Sequence, residues 1–370
     1  MHPGLAEPRT KEDWRAYLDY QPPPKPTLPS LGRYQAMSDV ERARFDAARS
    51  RHHSALVLAW TPPVRRFERE ILDLLAANEC APAGARPGLL IDGPATVGKS
   101  TLVKMIARKY ELQLRVQYPE RFTDRVDDYV PVVYLSVPDS VTPKQISLAL
   151  ARYLNVPAKG TKDCIDDLIL KALRRCGTQL IVIDDLHFLD CAYKEGRASN
   201  DHVKYLANHA ACTIVGTGVD LTTSPLLTEG SGTTRHTQTA GRFAHHQLCR
   251  FAITSAEQRS EWVAVVKTLE DALILFQHQP YSLARTHWRY LHERTGGSIA
   301  ALHLLIRLAA IRALGTGAEA VTRDLLDTIS LSFSSQRDYA TIVNARSGRG
   351  RRGASGYPDA AEPPGLADAG

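Results

Sequence analysis

A glycine, four further residues and then Gly-Lys-Ser make a spacing with chemical meaning. In GLLIDGPATVGKSTLVK, residues 88 to 104, Gly93, Gly98, Lys99 and Ser100 fit G-x-x-x-x-G-K-[ST]. A loop free of side-chain obstruction lets backbone N–H groups curl around phosphate oxygens, while the lysine supplies a point charge and the hydroxyl a Mg²⁺ ligand. The candidate phosphate-binding residues are therefore Gly93, Pro94, Ala95, Thr96, Val97, Gly98, Lys99, Ser100 and Thr101, with Ser100 also a candidate metal ligand.

Two other stretches end in groups such a loop needs. QLIVIDDLHFL, residues 179–189, is an apolar run ending in acid, as expected for a buried parallel strand whose tip reaches the phosphates. There Asp184 is placed to hold Mg²⁺, directly or through water, and Asp185 to activate the attacking water. ACTIVGTG, residues 211–218, puts Thr217 at its tip, where the hydroxyl either orients that water or simply caps a strand.

These groups require elements to carry them. Residues 88–91 read as the strand before the loop, and 101–110 as a helix whose N-terminus faces the anion. VPVVYLSV, residues 130–137, supplies another strand, followed by a helix start at Thr142 and Pro143; HQLCRFAI, residues 246–253, reads as the fifth. Short apolar runs alternating with helical patterns define an α/β fold, with a parallel sheet and crossover helices.

Composition divides the chain. Residues 1–50 are polar and contain QPPPKPTLPSLG, which predicts an extended arm with one short helix; residues 51–253 form the α/β domain. Thr254 to Glu257 resembles a helix start, and residues 254–333 read as a small helical domain. Residues 334–370, rich in Gly, Arg and Pro, read as a disordered tail.

The 370 residues carry a net charge of +6, which is compatible with an anionic partner without identifying one. The six cysteines show no C-x-x-C pair and no zinc-ligand spacing, so they read as reduced thiols. His52-His53 and His245-His246 lack the accompanying carboxylate or thiol set of a metal site. With no basic-then-apolar leader, a cytoplasmic location is expected. The most apolar run, SIAALHLLIRLAAIRAL, is interrupted by His303, Arg307 and Arg312, which argues for a packed helix and against membrane insertion.

The order of phosphate loop, strand and helix, acidic strand, polar-tipped strand, arginine-bearing loop and helical lid resembles AAA+ ATPases. More narrowly, RHHSALVLAWTPPVRRFEREI, IDGPATVGKST, LIVIDDLHFL, TIVGTGVDL and TAGRF are similar to the TniB-type ATP-binding proteins of transposons, relatives of TnsC and MuB, over residues 50–330. The resemblance implies an AAA+ P-loop NTPase with a five-stranded parallel sheet and a helical lid, with ATP and Mg²⁺ as cofactors. It further implies a homo-oligomer, ring or filament, that binds DNA nonspecifically and assists a transposase or integrase in target selection. Arg242 of AGRF matches the arginine finger reaching a neighbouring subunit, with Arg235 and Arg250 as competitors.

Two departures from the family pattern stand out. Asp185 replaces the usual Glu, which implies slow hydrolysis, and Ile299 in TGGSI stands where relatives carry a nucleotide-sensing arginine, leaving Arg294 and Arg307 as substitutes. Lys144, Lys159 and Lys162 are candidate DNA-phosphate contacts or members of a solvated helix face, and Arg346, Arg349, Arg351 and Arg352 could add affinity for a polyanion. Trp60 is placed either in an adenine pocket or in the core. The readings outside DNA transactions are an AAA+ signalling or assembly NTPase acting on protein partners, and an assembly protein that uses nucleotide as a switch and hardly hydrolyses it.

Overall fold

A computed structural model describes residues 6–55, 59–82, 84, 86–123, 128–137, 142–186, 202–203, 205–221, 242–333 and 335–341. The chain divides into two compact units: residues 1–20 with 63–249, and residues 21–62 with 250–370.

The first unit is built on five parallel strands, β1 (Gly88–Asp92), β2 (Val132–Ser136), β3 (Leu180–Asp184), β4 (Thr213–Gly218) and β5 (Phe243–Gln247), in the order β2-β3-β4-β1-β5. Every residue of β1, β3 and β4 is buried, which is why β1 and β3 read as apolar runs up to their terminal aspartates and β4 carries only small residues and threonines beside its Ile214 and Val215. The fifth strand lies at 243–247, not 246–253. An edge strand is half solvated, so FAHHQ carries a weaker apolar signal than the LCRFAI that follows it.

Helices flank the sheet. In α4 (Pro62–Glu79) the buried Val64, Phe67, Ile71 and Leu75 recur at three- and four-residue spacing, one apolar stripe. The helix after the loop, α5 (Lys99–Gln117), buries Leu102, Val103, Ile106 and Leu114 in the same manner. Thr142 caps α6 (Pro143–Tyr153) through a capping box with Gln145 and Pro143 in the first turn, and Thr161 caps α7 (Lys162–Arg175). Within residues 1–20, α1 (Lys11–Asp19) buries Trp14 and Leu18.

In the second unit, residues 31–50, expected within an extended arm holding one short helix, and residues 51–54, expected within the α/β domain, instead form α2 (Leu31–Gln35) and α3 (Asp39–Ser54). They join α8 (Ala256–Glu270), a π-helical turn at Leu283–His287, α9 (Trp288–Thr295), α10 (Ile299–Thr316) and α11 (Arg323–Asp327). α3 is polar by composition because a charge anchors it: Arg49 is fully buried, bonded to Asp46 at 2.5 Å and to Glu319 at 2.7 Å, with the rings of Phe45 and Phe276 each 5.1 Å away. The apolar α10 has the length and hydropathy of a membrane span, yet Leu302, Leu305, Ile306, Ala309 and Ala313 belong to the core formed with Trp262, Val266 and Leu291. Arg294, a candidate nucleotide sensor, is buried here and donates to the Ile329 carbonyl at 2.7 Å.

His53 supplies a pH signature. Its buried Nε2 accepts the Ile274 N–H at 3.0 Å, and burial, aided by the nearby Arg49 guanidinium, lowers its pKa from 6.5 to about 4. The unfolded chain therefore binds more protons between these values, so stability conferred by neutral His53 is present above pH 6.5 and is lost as pH falls toward 4. Between pH 7 and pH 5 this histidine should account for about 2 kcal/mol of lost stability. Urea titrations at both pH values should show a smaller acid loss for His53→Gln; an unchanged loss assigns the acid sensitivity to other groups.

Candidate nucleotide site

The sheet order brings the predicted groups together. β1 lies between β4 and β5, so the chain leaves it in one direction for β2 and returns on its other side for β5, and the loop after β1 stands at this switch point. In register, Ile91 pairs with Thr217 and Asp92 with Gly218, while Ile183 pairs with Gly216. Thr217 is thereby set between the tips of β1 and β3.

The loop's backbone explains its sequence. A Cβ at Gly93 would collide with the Leu248 carbonyl, and Gly98, at φ 97°, occupies the left-handed region as the cap of α5. The cap residue Gly98 makes no side-chain hydrogen bond to the first turn of α5, whose N–H groups form the anion-attracting end of the helix. Thr96 also has a positive φ, 67°, a costly conformation for a β-branched residue and therefore stored strain in the loop. Pro94, Ala95 and Thr96 are exposed, Val97 is buried, and Ser100 and Thr101 are half-buried in the first turn of α5.

Lys99 is buried and donates to the carbonyls of Gly93 at 2.7 Å and Pro94 at 2.9 Å, which folds its ammonium over the loop. Burial lowers its pKa, while the fields of Asp184, Asp185, Asp92 and Asp220 oppose that shift. Asp92 also receives the Gly93 N–H at 2.7 Å, fixing the entry to the loop.

Asp184 is 1% exposed. One of its oxygens accepts from the Thr217 hydroxyl and, at 3.1 Å, from the Asp185 N–H; the other accepts from the Tyr134 hydroxyl at 2.7 Å. Thr217 is fully buried, and its single O–H proton is committed to Asp184, so in this arrangement it positions the carboxylate. Asp185 has φ 62°: the backbone turns sharply beyond the strand tip, in a region aspartate tolerates better than most residues. A buried carboxylate, a hydroxyl at a helix start and an ammonium over a glycine loop are the donor set for a nucleotide phosphate with Mg²⁺. Ser100 and Asp184 would hold the cation.

Other predicted residues fall elsewhere. The Arg242 carbonyl accepts from the Gly88 N–H at 3.0 Å, at the opposite end of β1 from the loop, and its guanidinium donates to Asn208; within one chain it does not join the site. Arg250 pairs with Asp338 at 3.4 Å in the second unit. Lys162 is paired with the buried Asp166 at 2.6 Å, whereas Lys144 and Lys159 are exposed. Arg235 and the four tail arginines lie outside the described residues. Sequence reasoning missed Tyr134, which reads there as an ordinary strand former, and Asp92, whose place directly before Gly93 was the available signal.

Sheet order, phosphate loop and acidic tip together define an AAA+ P-loop ATPase fold. Residues 65–253, more than half of the chain, match the family described as Bacterial TniB protein, and the chain belongs to that family. Among solved structures, it is similar to the ORC1 protein of Aeropyrum pernix, solved in complex with DNA, at 18% identity and a TM-score of 0.53, over 82% of this chain and 72% of that one. It is also similar to the ORC2 protein of the same organism, solved as ADPNP-ADP complexes, at 12% identity and a TM-score of 0.51, over 71% of this chain and 65% of that one. No curated protein matches.

Thr217→Val keeps the shape of the side chain and removes its donor. Leaving the buried Asp184 one hydrogen bond short should cost about 1–3 kcal/mol, read as a lowered denaturation midpoint, while Thr217→Ser should restore most of it. Equal stability of the valine and parent proteins would show that Asp184 does not depend on this hydroxyl.

Proposed function

We propose that this TniB-family chain binds ATP with Mg²⁺, hydrolyses it slowly, and assembles on DNA as a homo-oligomer that assists a transposase or integrase in choosing its target. The observation that carries the reading is the convergence of Lys99, the Gly93–Gly98 loop and the buried Asp184 at the sheet's switch point. The loop's N–H groups would cradle the phosphates, with Lys99 exchanging its loop carbonyls for phosphate oxygens. A Mg²⁺ ion at Ser100 and Asp184 would neutralise charge on the β- and γ-phosphates. Asp185 would accept a proton from the attacking water; its short side chain, compared with the glutamate usual in AAA+ proteins, fits a slow enzyme.

The DNA arm of the proposal draws support from the net charge of +6, the exposed Lys144 and Lys159, the family match, and the similar ORC1 protein having been solved in complex with DNA. Arg242 would act across a subunit boundary, on a neighbour's γ-phosphate, after release from Asn208.

Anisotropy of a labelled duplex, titrated at near-physiological salt, should rise with ATP and remain low with ADP or without nucleotide; Lys99→Ala should abolish the ATP-dependent rise. Binding that ignores nucleotide, or none at all, would favour an NTPase directed at protein partners. Asp185→Ala should bind ATP as the parent does and turn it over at least tenfold more slowly, about 1.4 kcal/mol of barrier. Turnover at the parent rate would remove Asp185 from the mechanism.

A further inference from the structure

The acidic tip has a neighbour that comes from far away in sequence. The Tyr134 hydroxyl, 2.7 Å from Asp184, also lies 2.6 Å from a carboxylate oxygen of Glu7. Glu7 belongs to a strap, residues 7–20, that is bound at several points within the first unit. The Lys104 ammonium meets both Glu7 oxygens at 2.9 and 3.0 Å and stands 5.4 Å over the Tyr134 ring. The buried Trp14 stacks on that ring, with centroids 5.9 Å apart and planes 10° from parallel, and donates to Glu111 at 2.8 Å. Lys11 pairs with Asp128 at 2.7 Å, and Arg108 holds the Leu18 carbonyl at 2.8 Å.

A phenol has one proton to donate. Two carboxylates within bonding distance of the same hydroxyl therefore compete for it, and the one that loses faces an oxygen lone pair. A cation on Asp184 would shift that competition, because it draws electron density from the carboxylate and weakens its demand for the proton. The phenol would then serve Glu7, and the strap would be held more firmly.

From this geometry we propose that Tyr134 and Glu7 are positioning residues that couple docking of the 7–20 strap to cation-dependent nucleotide binding at Asp184. The coupling rests on the nucleotide reading above. It is reciprocal: if Mg²⁺-nucleotide tightens the strap, the docked strap tightens Mg²⁺-nucleotide by the same factor.

The strap reports on itself through trypsin sites at Arg9, Lys11 and Arg15. On the full chain with a slowly hydrolysed ATP analogue, cleavage there should be about tenfold slower with Mg²⁺ than with EDTA. Tyr134→Phe, which keeps the stacked ring and loses the proton, should erase that difference. Glu7→Ala, at a partly exposed side chain, should weaken analogue binding about tenfold in Mg²⁺ and leave binding in EDTA unchanged, a split that general loss of structure would not produce. Protection retained in Tyr134→Phe, or parental Mg²⁺-dependent affinity in Glu7→Ala, overturns the coupling alone. An unaltered protein that binds no analogue overturns the nucleotide reading, and this inference with it.

Discussion

A carboxylate that is 1% exposed must be paid for by hydrogen bonds, and the arrangement around Asp184 follows from that requirement. Three donors reach it: the Thr217 hydroxyl from the neighbouring strand β4, the Asp185 N–H from the turn that follows, and the Tyr134 hydroxyl from β2 on the other side. Strands two to four of the sheet are thus tied at their C-terminal tips by one anion. The opposite charge is supplied by Lys99, itself buried and turned onto the loop carbonyls, so that the site holds charge of both signs in a poorly hydrated space. Electrostatic forces there are larger than on the surface, which suits a site for a polyanion and its cation.

The loop that faces this tip stores conformational cost. Gly93 permits the close approach of Leu248, Gly98 takes a left-handed turn, and Thr96 takes one without glycine's freedom. Such strain is tolerated because β1, paired on both sides, fixes where the loop begins, and α5, packed through Leu102, Val103 and Ile106, fixes where it ends.

The helical unit solves a different problem. Its segment 31–54 carries too little apolar surface to be recognised as structured, yet Arg49 anchors it by an ion pair with Glu319, distant in sequence, inside a box of aromatic rings. Burying a guanidinium is costly unless it is paired, and here both terminal nitrogens are, by Asp46, Glu319 and the Ile274 carbonyl.

What the sequence determined by itself was local or periodic. The phosphate loop is a contiguous pattern, the buried strands β1 and β3 are apolar runs ending in acid, and the helix start read at Thr254–Glu257 lies within one residue of the observed Ser255 cap; each is written within a dozen residues. The AAA+ fold and the convergence of Lys99 with Asp184 followed from those patterns. What only the tertiary structure decided depends on long-range pairing: that β5 begins at Phe243 as a half-solvated edge, that Thr217 spends its proton on Asp184, and that Arg242 sits at the far end of β1. Tyr134 and Glu7 belong to the same class. They are separated by 127 positions, and no local periodicity marks a residue whose role is set by the one hydroxyl proton it must share.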